Sequence, residues 1–324
     1  MRALQQTSLN GPADLRLISD APVPVPGPGE VLIRVVAAGL NFVDISQARG
    51  TFAGGPQPPY VAGIEAAGEV TAVGEGVELE LGTHVVGVSI RGGAFAEYLV
   101  LPAVAALPVP AGWDDERALG LVVSWPTALA ALRLGGLGAG QTVLIHAAAG
   151  GTGQAAVKMA KQYGATVIAT ASPEKHEVVR GLGADHVLSS RSTDLAAEVL
   201  RLTDGVGVDL TLESVGGPTL DASLSATKRV TGRVVVFGLP AGEAALSNWD
   251  LVYKHQVQLI GLNIGILIQT TPQLYGEIMG ELFRLLATGV LGPAEPTTYE
   301  LADGPKVLTE LESRATIGKL ALLL

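Results

Sequence analysis

The chain has 324 residues, a length that at roughly 150 residues per domain predicts about two domains. Hydrophobic residues make up 48% and charged residues 16%, against an ordinary charged share of about 25%, so a large core is available and disorder is disfavoured. A net charge of −10 without a Lys/Arg run offers no grip on a nucleic-acid backbone, and any anion must be held by a local pocket. The 42 glycines are nearly twice the ordinary share of about 7% and predict tight turns and close backbone approaches. Aromatic residues are few (5 Phe, 3 Trp and 6 Tyr), which disfavours a single-strand platform of stacked rings. Cysteine is absent, which rules out disulfides, cysteine zinc sites, iron–sulfur clusters and thiol nucleophiles. The first residues lack a signal-like apolar region, and Val257 to Ile268 is too short to span a bilayer. A cytoplasmic protein without a membrane or nucleic-acid partner is expected.

Residues 1–122 read as a Gly/Pro-punctuated β region. Strands are expected at Val31–Ala37 after the turn Pro26-Gly27-Pro28-Gly29, then at Val70–Val73, His84–Val88 and Ala96–Val100. This spacing suggests a compact, barrel-like catalytic domain. From about residue 121 strands alternate with helices: strand Thr142–His146, helix Gln154–Tyr163, strand Thr166–Thr170, helix Pro173–Leu182, strand Asp185–Leu188 and helix Asp194–Leu202. Strands Val208–Leu212, Val234–Phe237 and Val257–Ile260 follow. Such βαβ alternation predicts an α/β class with a doubly wound parallel sheet over 123–263. The remaining 264–324 carry a helix, Leu274–Thr288, and a tail too small to fold alone, expected to return to the first domain.

His146-Ala147-Ala148-Ala149-Gly150-Gly151-Thr152-Gly153 links the first strand of this array to a helix, the context a dinucleotide fingerprint requires. Against G-x-G-x-x-G, Ala148 takes the first glycine position, and Gly150 and Gly153 take the second and third. Gly150 would admit a pyrophosphate close to the backbone, and Gly153 would let helix and strand pack. The helix N-terminus adds unpaired N–H groups and about half a positive charge. Ala149, Gly150, Gly151, Thr152 and Gly153 are therefore expected to bind the cofactor. The second strand ends in Thr170-Ala171-Ser172, without the acid that would accept a ribose 2′-hydroxyl. Ser172 and Lys175 can instead hold a 2′-phosphate, which favours NADPH over NADH. Glu174 stands between them, and Lys175 has the alternative of a solvated helix residue.

Several segments together resemble the medium-chain dehydrogenase/reductase superfamily and, within it, the zinc-free NADPH:quinone oxidoreductases. They are Ala38–Asp44, Gly63–Val70, Ala147–Gly153, Asp209–Gly216 and Leu311–Thr316, and the resemblance covers essentially the whole chain. It implies a GroES-like barrel beside a Rossmann domain. Where zinc-dependent members place a Cys and a His on the metal, this chain has Asn41 and Ile64, and the junction Val122-Val123-Ser124-Trp125 offers no Cys or acid. Catalytic zinc needs three protein ligands, so no metal is expected. His84, His146, His176, His186 and His255 form no metal-spaced pair. The resemblance places Asn41 beside the nicotinamide and Thr127 on the cofactor at the junction. Ser214 falls on the adenosine side, Phe237-Gly238-Leu239 beside the cofactor, and Leu262-Asn263 near the nicotinamide amide. Lys175 and Arg314 match two 2′-phosphate contacts; for Arg314 an ion pair with Glu310 is the alternative. The chain departs from the family at Ser190, beside Arg191, where a phosphate-binding tyrosine is common, and at Ser46, where an aromatic is common.

Without a metal, the accessible chemistry is hydride donation from the nicotinamide C4 to an electrophilic acceptor, with the protein positioning and desolvating. Quinones are the expected substrates. Other α,β-unsaturated carbonyls or enoyl thioesters are the alternative, and an NADPH sensor without turnover is the alternative from another class. Tyr60 is the candidate hydroxyl near the resembling segments, with turn packing as its other reading. A homodimer through the cofactor domains is expected.

Overall fold

A computed structural model describes all 324 residues. Residue contacts divide it into two units: Met1–Val123 with Pro293–Leu324, and Ser124–Gly292. The first unit opens with β1 (Ala3–Gln6), β2 (Leu15–Ile18), β3 (Glu30–Leu40), α1 (Phe42–Ala48) and β4 (Tyr60–Val61). It continues with β5 (Glu65–Val73), β6 (His84–Val88), β7 (Tyr98–Pro102), β8 (Ala106–Pro108) and α2 (Asp115–Ala118). β3 is the spine. It pairs antiparallel with β5 and β7 and is buried along nearly its whole length, so its sequence is an apolar run without alternation. Register shifts at Leu32/Ile33 and Val35/Ala37 bend it around the core of Leu4, Ile33, Ile45, Phe95 and Leu101.

The second unit runs α3 (Ser124–Leu134), β9 (Thr142–Ile145), α4 (Gly151–Gln162), β10 (Thr166–Ala171), α5 (His176–Gly181), β11 (His186–Ser189) and α6 (Leu195–Leu202). Then come β12 (Leu210–Glu213), α7 (Pro218–Ala226), β13 (Arg233–Val236), β14 (Gln258–Gly261), α8 (Ile264–Thr270) and α9 (Pro272–Ala287). Its six strands lie in the order β11-β10-β9-β12-β13-β14, and every pairing is parallel. The expected α/β class with a doubly wound sheet is thus present. α3 has no counterpart in the sequence expectation. Trp125, Ala128, Leu129, Ala130, Ala131 and Leu132 are all buried, and a helix covered on most sides loses the amphipathic period. Pro173–Lys175 forms a separate 3₁₀ turn ahead of α5 rather than its first turn.

The chain rejoins the first unit at Pro293, and the expected boundary at 264 is corrected accordingly. The cause is α9, whose buried Ile278, Met279, Leu282 and Leu285 keep it packed with α3 in the second unit. Arg133 of α3 pairs with Glu277 and Glu281 of α9. The returning segment forms β15 (Thr297–Glu300), α10 (Gly304–Glu312) and β16 (Leu320–Leu323). β16 completes the seven-stranded sheet by pairing antiparallel with β3.

Candidate functional site

The chain builds the second unit's sheet outward from β9 to β11 on one side and then from β12 to β14 on the other. Ligands of such sheets bind beyond the carboxyl ends of the strands, where the order reverses. The loops leaving those ends hold most of the expected cofactor residues. They are Ala147–Gly150 after β9, Ser172 and Lys175 after β10, Ser214 after β12, Phe237-Gly238-Leu239 after β13 and Leu262-Asn263 after β14. Thr127 lies in the first turn of α3.

The turn after β9 is compact. Ala147 takes the left-handed conformation with φ 48°, one residue before the position matched to the first glycine. The Ala148 N–H donates to Thr170 O at 3.0 Å, and the Gly150 N–H to Ala147 O at 3.0 Å. A Cβ on Gly153 would collide with Ala147 O and stand 2.6 Å from Ala148 Cα, so only glycine lets α4 close onto its own turn. At Gly150 a Cβ would meet only Ala147 O, at 3.4 Å. Its bareness is not forced by protein packing and leaves the backbone open to a ligand. No side chain caps α4, so the N–H groups of its first turn remain available to an anion. Below the turn, His146 is buried. Ser223 Oγ gives its proton to Thr219 O, so His146 Nε2 donates to Ser223 and Nδ1 accepts from Thr170 Oγ1. Burial pushes this imidazole down to about 4, so it is neutral and structural.

At the end of β10, Lys175 is buried, and desolvation lowers its pKa. It is therefore not the solvated residue weighed as an alternative. The neighbouring Glu174 is tied to Arg191 at 2.7 Å; its own backbone N–H first, then Ser172 and Arg191, hold its pKa low. Arg191 thus neutralises the one acid at this corner. Ser190 is fixed beside the strand by its N–H to Ala171 O at 2.8 Å. Glu213 was not singled out from the sequence. Buried at the end of β12, it accepts the Val215 N–H at 2.9 Å and the Gly216 N–H at 3.0 Å, which shapes the turn carrying Ser214.

In the first unit Asn41 begins α1 in extended conformation, and its N–H donates to Asp44 Oδ2 at 2.7 Å. Around it lies a buried polar cluster of Asp44, Glu65 and Lys319. Ile64, at the second metal-ligand position of zinc-dependent relatives, is a buried core residue. Burial, with the Glu65 charge adding, pushes Asp44 up to about 7 against the pull of Asn41 and Lys319. Tyr60 packs against the first unit's core, and its hydroxyl is buried without a hydrogen-bond partner. Burial, then the Asp44 charge, pushes the phenol up to about 12, which suits packing better than proton transfer near neutrality. Arg314 follows α10 at φ 60°, the usual left-handed helix stop. Glu310 lies 4.0 Å from Lys306. Sequence reasoning missed Lys319; its one signal is a lone charge at the head of the apolar run Leu320–Leu324.

A parallel sheet that reverses at β9/β12, with an uncapped glycine turn at the reversal, defines a dinucleotide-binding fold of the kind used by oxidoreductases. Two family models match: the alcohol dehydrogenase GroES-like domain over residues 27–111 and the zinc-binding dehydrogenase domain over 151–279. The structure is similar to the Escherichia coli quinone oxidoreductase complexed with NADPH, with 30% identity, 100% coverage of both chains and a TM-score of 0.92. It is also similar to the CurK enoyl reductase, with 28% identity, 99% and 98% coverage and a TM-score of 0.87. Among curated proteins, the mycocerosic acid synthase-like polyketide synthase of Mycobacterium tuberculosis is 34% identical over 319 residues. That match covers 96% of this chain but 15% of the synthase, so the chain spans a small part of such relatives. The chain belongs to the medium-chain dehydrogenase/reductase superfamily of oxidoreductases, among its quinone-oxidoreductase-like members.

The Asp44 carboxyl binds its proton more tightly folded, at about 7, than unfolded, at 3.8. Its contribution to stability is therefore complete below pH 4 and is lost as pH rises to 7. Asp44→Asn keeps an acceptor for the Asn41 N–H and removes this loss. Between pH 5 and pH 8, urea unfolding of wild type should weaken by about 2–3 kcal/mol relative to D44N. Parallel pH profiles would refute the assignment.

Proposed function

We propose that the protein is an NADPH-dependent, zinc-independent reductase that delivers hydride to quinones. The observation that carries this reading is the uncapped start of α4 behind Gly150, at the reversal of the parallel sheet. Its amides suit a pyrophosphate. Bound there, the reduced nicotinamide would supply hydride from C4. Ser172, Lys175 and the tail Arg314 are assigned to the 2′-phosphate. Arg191, by holding Glu174, removes the carboxylate that would repel that phosphate. Thr127, Ser214, Phe237, Gly238, Leu239, Leu262 and Asn263 are assigned to the rest of the dinucleotide, with Asn41 beside the nicotinamide. Asn41 and Ile64 supply no ligand set for a catalytic zinc. The acceptor must therefore be electrophilic without a Lewis acid, as quinones are. Similarity to the CurK enoyl reductase and to a polyketide synthase favours enoyl thioesters as the second reading.

Loss of NADPH absorbance with 1,4-benzoquinone, 9,10-phenanthrenequinone, an alkenal and crotonyl-CoA separates these readings. Fastest turnover on a quinone is expected. Preference for crotonyl-CoA would favour the second reading, and NADPH binding without any turnover would leave a sensor. Lys175→Ala should weaken NADPH by about tenfold or more and leave NADH nearly unchanged, read by cofactor fluorescence; equal losses would refute the 2′-phosphate assignment. We further assign a homodimer through β14, which ends its sheet with an unpaired edge and an exposed Leu259. Sedimentation should give twice the 33.1 kDa chain mass, and Leu259→Lys should shift it toward monomer. A wild-type monomer at micromolar concentration would overturn this.

A further inference from the structure

The second unit holds a cavity of about 180 Å³. One water needs only about 10–15 Å³ of such space, so a tetrahedral oxyanion fits. One wall is the end of α7 and the segment leading into β13, with Ser225 and Arg229; the other is a wide helical turn, Asp250–His255, that leads into β14. Both walls thus stand at the amino ends of these strands, whereas the loops assigned to the dinucleotide leave the sheet at the carboxyl ends.

The lining is cationic. Arg229 Nη2 donates to Lys254 O and Tyr253 O and joins the two walls, which leaves Nε and Nη1 for another acceptor. Lys254 Nζ donates to Asp221 Oδ1 at 2.6 Å, and Asp221 is the one carboxylate paired with the lining groups. His255 is only 3% exposed, yet its Nε2 is buried without a hydrogen bond. Asp221 Oδ1 stands 3.4 Å from it, but Lys254 already engages that oxygen. Folded proteins leave few buried polar atoms unmatched, and an anion in the cavity would match this one. Burial, then the Lys254 charge, lowers the imidazole pKa against the pull of Asp221 and Asp250, so an entering anion gains a further cation when the ring takes a proton from solvent. With Asp221 cancelling Lys254, Arg229 and a protonated His255 leave two positive charges. We propose that this cavity is a binding site for a phosphate-type dianion, held by Arg229 and Lys254 and by a proton-linked hydrogen bond from His255. Free phosphate and the head of a phosphomonoester share this chemistry. The site is separate from the cofactor cradle and does not rest on the dinucleotide reading.

Sulfate remains a dianion across neutral pH and serves as the probe. The His255 ring, followed by nitrogen NMR and assigned by its loss in H255Q, should move toward its protonated form along a saturable curve, with a Kd of about 1 mM or tighter. Affinity should rise as pH falls from 8 to 6, by up to about tenfold per unit, because one proton is taken up with the anion. Arg229→Met and Lys254→Met should each weaken sulfate about tenfold. Lys254 pairs at the exposed surface, so K254M should keep its resistance to urea and remain informative if R229M fails to fold. Saturating NADPH should leave the response unchanged, since its cradle lies at the other end of the sheet. Tighter binding of glycerol 3-phosphate than of inorganic phosphate would identify a phosphomonoester as the occupant, and the reverse order the free ion. A His255 signal that does not saturate in the millimolar range, that chloride reproduces, that K254M leaves intact or that NADPH abolishes would overturn the proposal.

Discussion

The first amides of a helix have no carbonyl within that helix to bind, and at α4 no side chain supplies one. Other features of the second unit follow from keeping that end open. Gly153 is bare because α4 must close onto Ala147 O, and Ala147 accepts a left-handed backbone to make the turn. Gly150 is bare although the protein around it does not demand it. The polar groups beneath are silenced, since His146 spends both ring nitrogens on Thr170 and Ser223 and stays neutral. An acidic protein can thus hold a multiply charged anion without a basic surface. The field at the turn is local, made by oriented backbone dipoles.

The first unit solves a different electrostatic problem. Two carboxylates, one amide and one ammonium share a dry interior around the start of α1. Glu65 is satisfied by Lys319, by Asn41 and by a backbone N–H, whereas Asp44 is held near neutrality by burial and by the Glu65 charge. Lys319 is the positive charge of this cluster. A shared ammonium fixes the orientation of its neighbours but does not act as a Lewis acid toward a substrate. Quinones and activated alkenes, both electrophilic without a Lewis acid, are the proposed acceptors to separate.

Those two readings share a scaffold, and the difference between them lies in the pocket that receives the acceptor. Ser46, where relatives commonly carry an aromatic, donates to Phe42 O at 3.3 Å and so stays within α1. Nothing in the cofactor cradle distinguishes a quinone from a thioester, because pyrophosphate binding comes before the choice of acceptor.

Strands and helices of the second unit were legible in the sequence because a parallel sheet leaves continuous apolar runs, and because a glycine turn must sit between strand and helix for phosphate to approach. The missing acid at the end of β10 was legible too, and it is the reason Ser172 and Lys175 are the residues proposed for a 2′-phosphate. α3 was not legible, because complete burial erases the period by which a helix is read. The late return of the chain at Pro293 was decided by α9 packing on α3, a preference no local pattern encodes. The Asn41–Glu65–Lys319 cluster lay furthest from reach. Asn41 and Lys319 stand 278 positions apart, and only the antiparallel register of β16 on β3 brings the lysine to the amide. Sequence patterns record which atoms can bond; which of them meet is set by strand pairing and burial, where low dielectric makes every unmatched charge costly.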